Sequence, residues 1–402
     1  MPVTIQHCIS QHYEMEKDEI SEVLSRLPAK SLLRCESVSK GCRDLISDNS
    51  FRNLQCHRVK ATTSGFFFQD TCEVPYPVKY LSTDNDQAIL QDTILDFLPE
   101  KVNELIASSN GLLCLTSCDD SKDRDKLIYV CNPAKKEYVQ IEWPKGSDNH
   151  QDFALAFDPY HCLGDGLLDF KLVCICKEYL YTFSFQVYSS KTKQWRILDN
   201  CNCSIHYSLP NGQVIFASGV LYWMTYGDAI LAFDVETEES YFIVLPVRRT
   251  RRREDLWEVC IGESKGRLHF ILISEAGVQV WILDSEPKWV LKHSITLSAM
   301  EEECPRFLYN DAKKASRPVP DYVPLPPWIE PLVYKDEILI VKLRCSYSYE
   351  NHDEISACTK IYLCNLDIGK MEELFTIVKL GSYLGYTRAV PYSMSLAPLG
   401  SA

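Results

Sequence analysis

The residues most able to do chemistry form the run Gly262-Glu263-Ser264-Lys265-Gly266, which has the spacing of a nucleophile elbow, G-x-S-x-G. Such an elbow lifts a serine hydroxyl out of a sharp turn that has a strand before it and a helix after it. Here the next residues, Arg267-Leu268-His269-Phe270-Ile271-Leu272-Ile273, have the β-branched and aromatic content of a strand. The run therefore predicts a hairpin turn and no acyl-transfer serine. A phosphate loop, G-x-x-x-x-G-K-[ST], and the zinc helix motif H-E-x-x-H do not occur in the sequence. The chain has 18 cysteines and 9 histidines, and a zinc site needs them as clustered pairs of the C-x2-C or H-x3-H kind. The spacings present are C-x-C (Cys174/Cys176, Cys201/Cys203) and C-x3-C (Cys114/Cys118), with no matching second half. Cys114, Cys174 and Cys176 interrupt apolar runs and are expected to be small buried hydrophobes. No catalytic residue, metal or cofactor is expected.

One run of charge stands out, Arg248-Arg249-Thr250-Arg251-Arg252-Arg253, followed by Glu254 and Asp255. It reads first as a solvated loop partly neutralised by its own acids, and second as a nuclear-localisation or acidic-segment patch. The chain as a whole carries 42 basic and 55 acidic residues, a net charge of −13. Phosphate backbones repel such a chain, so nucleic acid is not the expected principal partner. No apolar run reaches the roughly 18 residues needed to span a bilayer, so no membrane partner is expected. Residues 1–17 lack the basic and apolar regions of an export signal and are expected to form a disordered tail. The expected location is therefore cytoplasm and/or nucleus, where thiols stay reduced and the Asn202-Cys203-Ser204 sequon is silent.

Two periods divide the rest. Over residues 18–56 the period is helical. Ile20, Val23, Leu24 and Leu27 fall at i, i+3, i+4 and i+7, and Pro28 ends that helix and opens the next, which carries Leu32 and Leu33. Val38, Cys42, Leu45 and Ile46 form a third apolar face, stopped by Ser47-Asp48-Asn49-Ser50. Three short helices cannot bury all these faces against one another, and a module this small supplies only about 3–5 kcal/mol by itself. The surplus face must meet a separate protein or the rest of this chain.

From residue 61 to 402 the period is that of strands, and one unit recurs. A Gly precedes an apolar strand at Gly111, Gly219 and Gly266, and a strand, polar turn and aromatic strand follow. The turn residues Asn132, Ser189, Asp234 and Asp284 are 57, 45 and 50 apart, and Asp367 lies 83 further on. A period near 50 is that of kelch-like propeller blades. A β-sandwich would show turns every 8–12 residues without the longer repeat. The excess before Asp367 is assigned to a Pro-rich insertion at 305–331. The expected fold is a small all-α module followed by an all-β, kelch-like propeller. It has six blades, with five to seven allowed, closed by pairing residues 61–105 with the C-terminal strand at Pro391–Leu396. Tyr322 and Trp328, aromatic residues in the Pro-rich insertion, are the candidate substrate contacts.

The run from Asp18 through Leu27-Pro28-Ala29-Lys30-Ser31-Leu32-Leu33 to Lys40, continued by Gly41–Phe51, resembles an F-box. The segment Ser108–Cys114, the pair Asn132-Pro133 and the closing Tyr392–Leu396 resemble the F-box-associated domain of plant F-box proteins. The resemblance implies a substrate-recognition subunit of a Skp–cullin–F-box ubiquitin ligase, with no catalytic residue of its own. Its F-box would bind a Skp-family adaptor through Ile20, Leu24, Leu27, Pro28, Leu32, Leu33, Val38, Leu45 and Ile46, and its propeller would bind an unknown protein substrate. Cys42 departs from the family, which commonly has Trp there in a Lys-x-Trp-Arg setting. That departure keeps a second reading open, a propeller interaction scaffold whose F-box no longer recruits a ligase.

Overall fold

A computed structural model describes residues 18–70, 78–83, 90–91, 94–99, 102–117, 126–144, 150–160, 169–179, 182–204, 214–225, 227–247, 258–274, 276–284, 288–305, 307, 328–348, 355–376 and 387–399. Helix α1 (18–24) leads to α2 (Ala29–Cys35), α3 (Lys40–Ser47) and α4 (Asn49–Arg58). Pro28 is the residue before α2 rather than its first residue, and Val38 lies outside α3. Ser39 caps α3 by accepting the Cys42 N–H at 3.0 Å. The polar run expected to stop the helices instead starts another. Asp48 Oδ1 accepts the N–H groups of Ser50 and Phe51, at 2.9 and 3.2 Å, and so caps α4.

The strands make a propeller-like domain. One four-stranded sheet holds β1 (Thr63–Asp70), β2 (Val78–Ser82), β3 (Leu90–Gln91) and the last strand, β24 (Thr387–Ser393), which lies antiparallel beside β1. The next holds β4 (Val102–Ser109), β5 (Leu112–Ser117), β6 (Leu127–Asn132) and β7 (Glu137–Glu142). Then come β8 (His150–Phe157) to β11 (Gln194–Ser204) through β9 (Phe170–Tyr179) and β10 (Thr182–Ser189). A fourth sheet holds β12 (Val214–Ala217), β13 (Val220–Met224), β14 (Ala229–Asp234) and β15 (Ser240–Val244). Finally, β16 (Glu258–Ser264), β17 (Arg267–Ser274), β18 (Gly277–Leu283) and β19 (Trp289–Ile295) share an eight-stranded sheet with β20 (Trp328–Lys335), β21 (Ile338–Ser348), β22 (Ile355–Asn365) and β23 (Lys370–Thr376). A short helix, α5 (Leu297–Glu303), lies between the halves. The halves join where β16 and β20 run parallel at Gly262↔Tyr334 and Glu263↔Lys335. Strands β24, β4, β8, β12, β16 and β20 each touch the next in that order, and β20 touches β24 to close the series. Among the described residues no helix is long and apolar enough to cross a membrane.

The recurring Gly marks a two-residue hairpin. Asn110-Gly111, Ser218-Gly219 and Lys265-Gly266 carry positive φ at both positions (42° and 97°, 45° and 85°, 54° and 77°), which matches the right-handed twist of the strands they join. The G-x-S-x-G run is thus the end of β16 and its turn into β17. Asp336-Glu337 makes the same turn without glycine, at φ 48° and 66°. The turn marker of the last repeat is Asn365 rather than Asp367, because Asn365 Oδ1 accepts the N–H groups of Asp367 and Ile368 as Asp234 Oδ1 accepts those of Glu236 and Thr237. Trp195 and Trp289 hook neighbouring sheets together, donating Nε1–H to the carbonyls of Glu142 and Val244 at 3.0 and 2.7 Å. Strand β20 takes in residues 328–331 of the Pro-rich segment, with a register shift at Pro331/Val333 where the missing N–H interrupts the ladder.

The core residues alternate along these strands onto both faces of each sheet. Cys114, Cys131, Cys174, Cys176, Cys260 and Cys364 are buried free thiols, and burial pushes their ionisation up. The parallel seam depends on Gly262, where an added Cβ would lie 2.3 Å from the Tyr334 carbonyl oxygen. Gly262→Ala is expected to part β16 from β20 and lower stability by about 2 kcal/mol, read as a lower urea midpoint at unchanged slope.

Candidate partner interface

The helical block has two sides. On the inner one, Ala29, Leu32, Ile46 and Phe51 form a sealed cluster with Leu396, which comes from the far end of the chain. Leu32, Ile46 and Leu396 have no exposed surface. Leu24, Leu27, Leu33, Cys35, Cys42, Leu45 and Met394 pack around this cluster and stay partly buried. Elsewhere in the block Ile20, Val23 and Val38 are 50%, 64% and 75% exposed, and Pro28, also exposed, borders a cavity lined by Ser64, Tyr160, Met394 and Ser395. Of the nine residues expected to meet a partner, seven therefore lie on or near an open surface. Leu32 and Ile46 are fully buried in the cluster with Ala29, Phe51 and Leu396.

The surplus apolar area is thus divided between solvent and the chain's own C-terminus. Segment 394–399 runs along the seam between α4 and the β4–β7 sheet. Arg52, 4% exposed, donates from Nε to the Leu396 carbonyl at 2.6 Å and from Nη2 to that of Ala397 at 3.2 Å. Its two terminal nitrogens also grip Glu137 at 3.0 and 2.7 Å, the two-pronged geometry that suits guanidinium and carboxylate. Asn132, the turn marker of the first repeat, donates to the carbonyls of Ser395 and Ala397 at 3.1 and 2.8 Å. Gly111 leaves room for the segment, since a Cβ there would sit 2.2 Å from Ser395 Cβ. Lys135, in the turn between β6 and β7, pairs with Glu36 at the end of α2 at 2.6 Å. Around α1, Arg26 and Arg58 both bond Glu22, at 2.6 and 2.7 Å, and hold its carboxyl below the usual range.

Val23 was legible from the i, i+3 spacing with Ile20. The clasp was not: nothing in local spacing connects Arg52 with Glu137 or Leu396. Of the candidate substrate contacts, Trp328 opens β20 with its backbone opposite Arg344, while Tyr322 and the arginine run 248–253 lie outside the described residues.

A second concentration of charge sits at the β16–β20 seam. Glu337, 3% exposed, accepts from Ser264 Oγ at 2.8 Å, Tyr334 Oη at 2.7 Å and His293 Nε2 at 3.0 Å, and pairs with Lys292. Ser264 of the G-x-S-x-G run therefore serves this carboxylate. His293, Glu337 and Asp367 lie close enough together for a cation, yet the Lys292 ammonium already occupies one oxygen of Glu337. Burial pushes the Glu337 carboxyl up, but the bonds from Lys292, Tyr334, Ser264 and His293 outweigh it and hold the group at about 2. A carboxyl lowered on folding adds stability above its unfolded value, near 4.5, and loses it as pH falls toward 2. Glu337→Gln is expected to cost about 2 kcal/mol at pH 7 and to converge with the wild type near pH 2, checked by urea melts across that range.

Residues 66–310 match the F-box associated beta propeller domain family and residues 17–54 match the F-box domain. The Arabidopsis thaliana F-box protein At5g07610 is 28% identical over 318 residues, covering 72% of this chain and 72% of its own length. F-box protein At5g49610 of the same plant is 27% identical over 308 residues, covering 70% and 79%. F-box protein CPR1, also from Arabidopsis thaliana, is 24% identical over 302 residues, covering 66% and 68%.

Proposed function

Since this chain belongs to the F-box proteins that carry an F-box-associated β-propeller domain, we propose that it is the substrate-recognition subunit of a Skp–cullin–F-box ubiquitin ligase. The F-box takes the Skp-family adaptor through Ile20, Val23, Leu24, Leu27, Pro28, Leu33, Val38 and Leu45. The propeller holds the protein to be ubiquitinated. The observation that carries this reading is the division of the helical block into a face closed by Leu396 and a face left to solvent.

Such a receptor makes and breaks no bonds. By holding substrate and ligase in one assembly it turns their encounter into an intramolecular one, at effective concentrations that reach the millimolar range. Geometry then matters, because a loose arm would dilute that gain. The Arg52–Glu137 pair and the C-terminal segment give the arm a fixed seat. Six blades is the count supported by the closed series of β24, β4, β8, β12, β16 and β20. Tyr322 and Trp328 are proposed substrate contacts, and cytoplasm or nucleus is the proposed location.

Co-purification with a Skp-family adaptor tests the assignment: a stoichiometric complex on size exclusion is the expected result, and separate elution would overturn it. A scaffold that has lost its ligase is the second reading, favoured by Cys42 where a large aromatic is usual. That reading predicts no capture by the wild type and restored capture by Cys42→Trp.

A further inference from the structure

Among the described residues the outermost strand of each sheet pairs with no further strand, and natural edges are blunted by charge, bulges or shortness. Strand β7 carries Glu137 and Glu142, and β3 has two residues. Strands β11, β19 and β23 all carry charged residues, and each has a register shift against its neighbour. Strand β15, Ser-Tyr-Phe-Ile-Val, has neither a charge nor a shift.

The register fixes which of its groups face outward. Asp234 N–H bonds the Glu239 carbonyl and Leu245 N–H bonds the Asp228 carbonyl, so the alternating ladder turns 239, 241, 243 and 245 toward β14. The N–H and C=O of Phe242 and the N–H of Val244 then point away from the sheet. Trp289 Nε1 holds the Val244 carbonyl and fixes that end of the strand. The side chains of Phe242 and Val244, two positions apart and so on one face of the strand, are 42% and 67% exposed.

We propose that the edge of β15 docks a short extended segment of a partner protein as an added antiparallel strand. Five residues at about 3.4 Å each, across a sheet roughly 10 Å thick, give an edge strip of about 170 Å², far short of the roughly 800 Å² per partner that a folded second copy requires. Exposed Glu236 and Glu239 lie at the start of β15. An antiparallel segment brings its C-terminal end there, so the matching occupant alternates β-branched residues and finishes in Lys or Arg. This docking goes beyond the ligase assignment and does not depend on it.

The test uses the full chain and a fluorescein-labelled peptide, Ser-Thr-Val-Thr-Val-Lys-Lys, followed by anisotropy. Saturable binding is expected, weakened at least tenfold by Val244→Pro, which removes an outward N–H and no ladder bond. Phe242→Lys, which blunts the edge with charge, is a second variant expected to have the same effect. A peptide ending Glu-Glu is expected to bind at least threefold more weakly, and adaptor capture by both variants is expected to match the wild type, which separates this site from the F-box. Absence of saturable binding, equal binding by both variants, or a wild-type dimer in sedimentation that Val244→Pro dissolves would overturn the proposal.

Discussion

Leu396→Asp is expected to unfold the F-box and abolish adaptor capture, although Leu396 lies 344 residues along the chain from Arg52. The side chain is fully buried among Ala29, Leu32, Ile46 and Phe51. An uncompensated carboxylate there costs about 4 kcal/mol or more, comparable with the roughly 3–5 kcal/mol that so small a module can supply. The β-sheets, built from other residues, should persist. The expected signature is fast hydrogen exchange over residues 29–58 with the strands still protected, together with loss of the adaptor complex. Leu396→Met keeps the volume and should keep both properties. Protected helices and normal capture in Leu396→Asp would show that the C-terminal segment is no part of the F-box.

The second large effect is on binding with the fold left intact. Ile20 and Val23 are half or more exposed on α1 and lie one turn apart. The double change Ile20→Asp with Val23→Asp costs the free chain little, since both carboxylates stay in water. Docking of an adaptor would strip that water from two charges at the centre of an apolar contact, a penalty of about 3 kcal/mol or more. Capture should fall by roughly a hundredfold with unchanged melting, measured by calorimetric titration of the adaptor. In the same assay Cys42→Trp should bind at least about fivefold more tightly. Cys42 sits partly buried at the rim of the inner cluster, and an indole there adds apolar area at the contact. Capture unaffected by the double change would place the adaptor elsewhere.

Local rules were legible where a single residue type enforces them. Glycines 111, 219 and 266 marked the starts of three strands, and each proves to be the second residue of a hairpin turn, where a positive φ favours glycine strongly. The fourth hairpin, Asp336-Glu337, was hidden: Glu337 holds that conformation while its carboxylate is fixed by Lys292, Tyr334, Ser264 and His293. Helix α4 was hidden for a related reason. Its sequence is mostly polar, and the partners of its buried residues are distant in sequence: Arg52 meets Glu137 and the C-terminal segment, and Gln55 donates to the Leu27 carbonyl, which no periodicity reveals. The outer face of α1 could be read from spacing alone. The sealing of Leu32 and Ile46 could not, because the cluster that buries them includes Leu396 from the far end of the chain.

Hydrogen exchange of the full chain, alone and with a Skp-family adaptor, tests the central claim most directly. The account predicts that 29–35, 42–58 and 394–399 already exchange slowly in the lone chain, and that the adaptor adds protection at 18–27 and 33–45 only. A lone chain in which 394–399 exchanges freely while those helices stay protected, or an adaptor that leaves 18–27 unchanged, would contradict it.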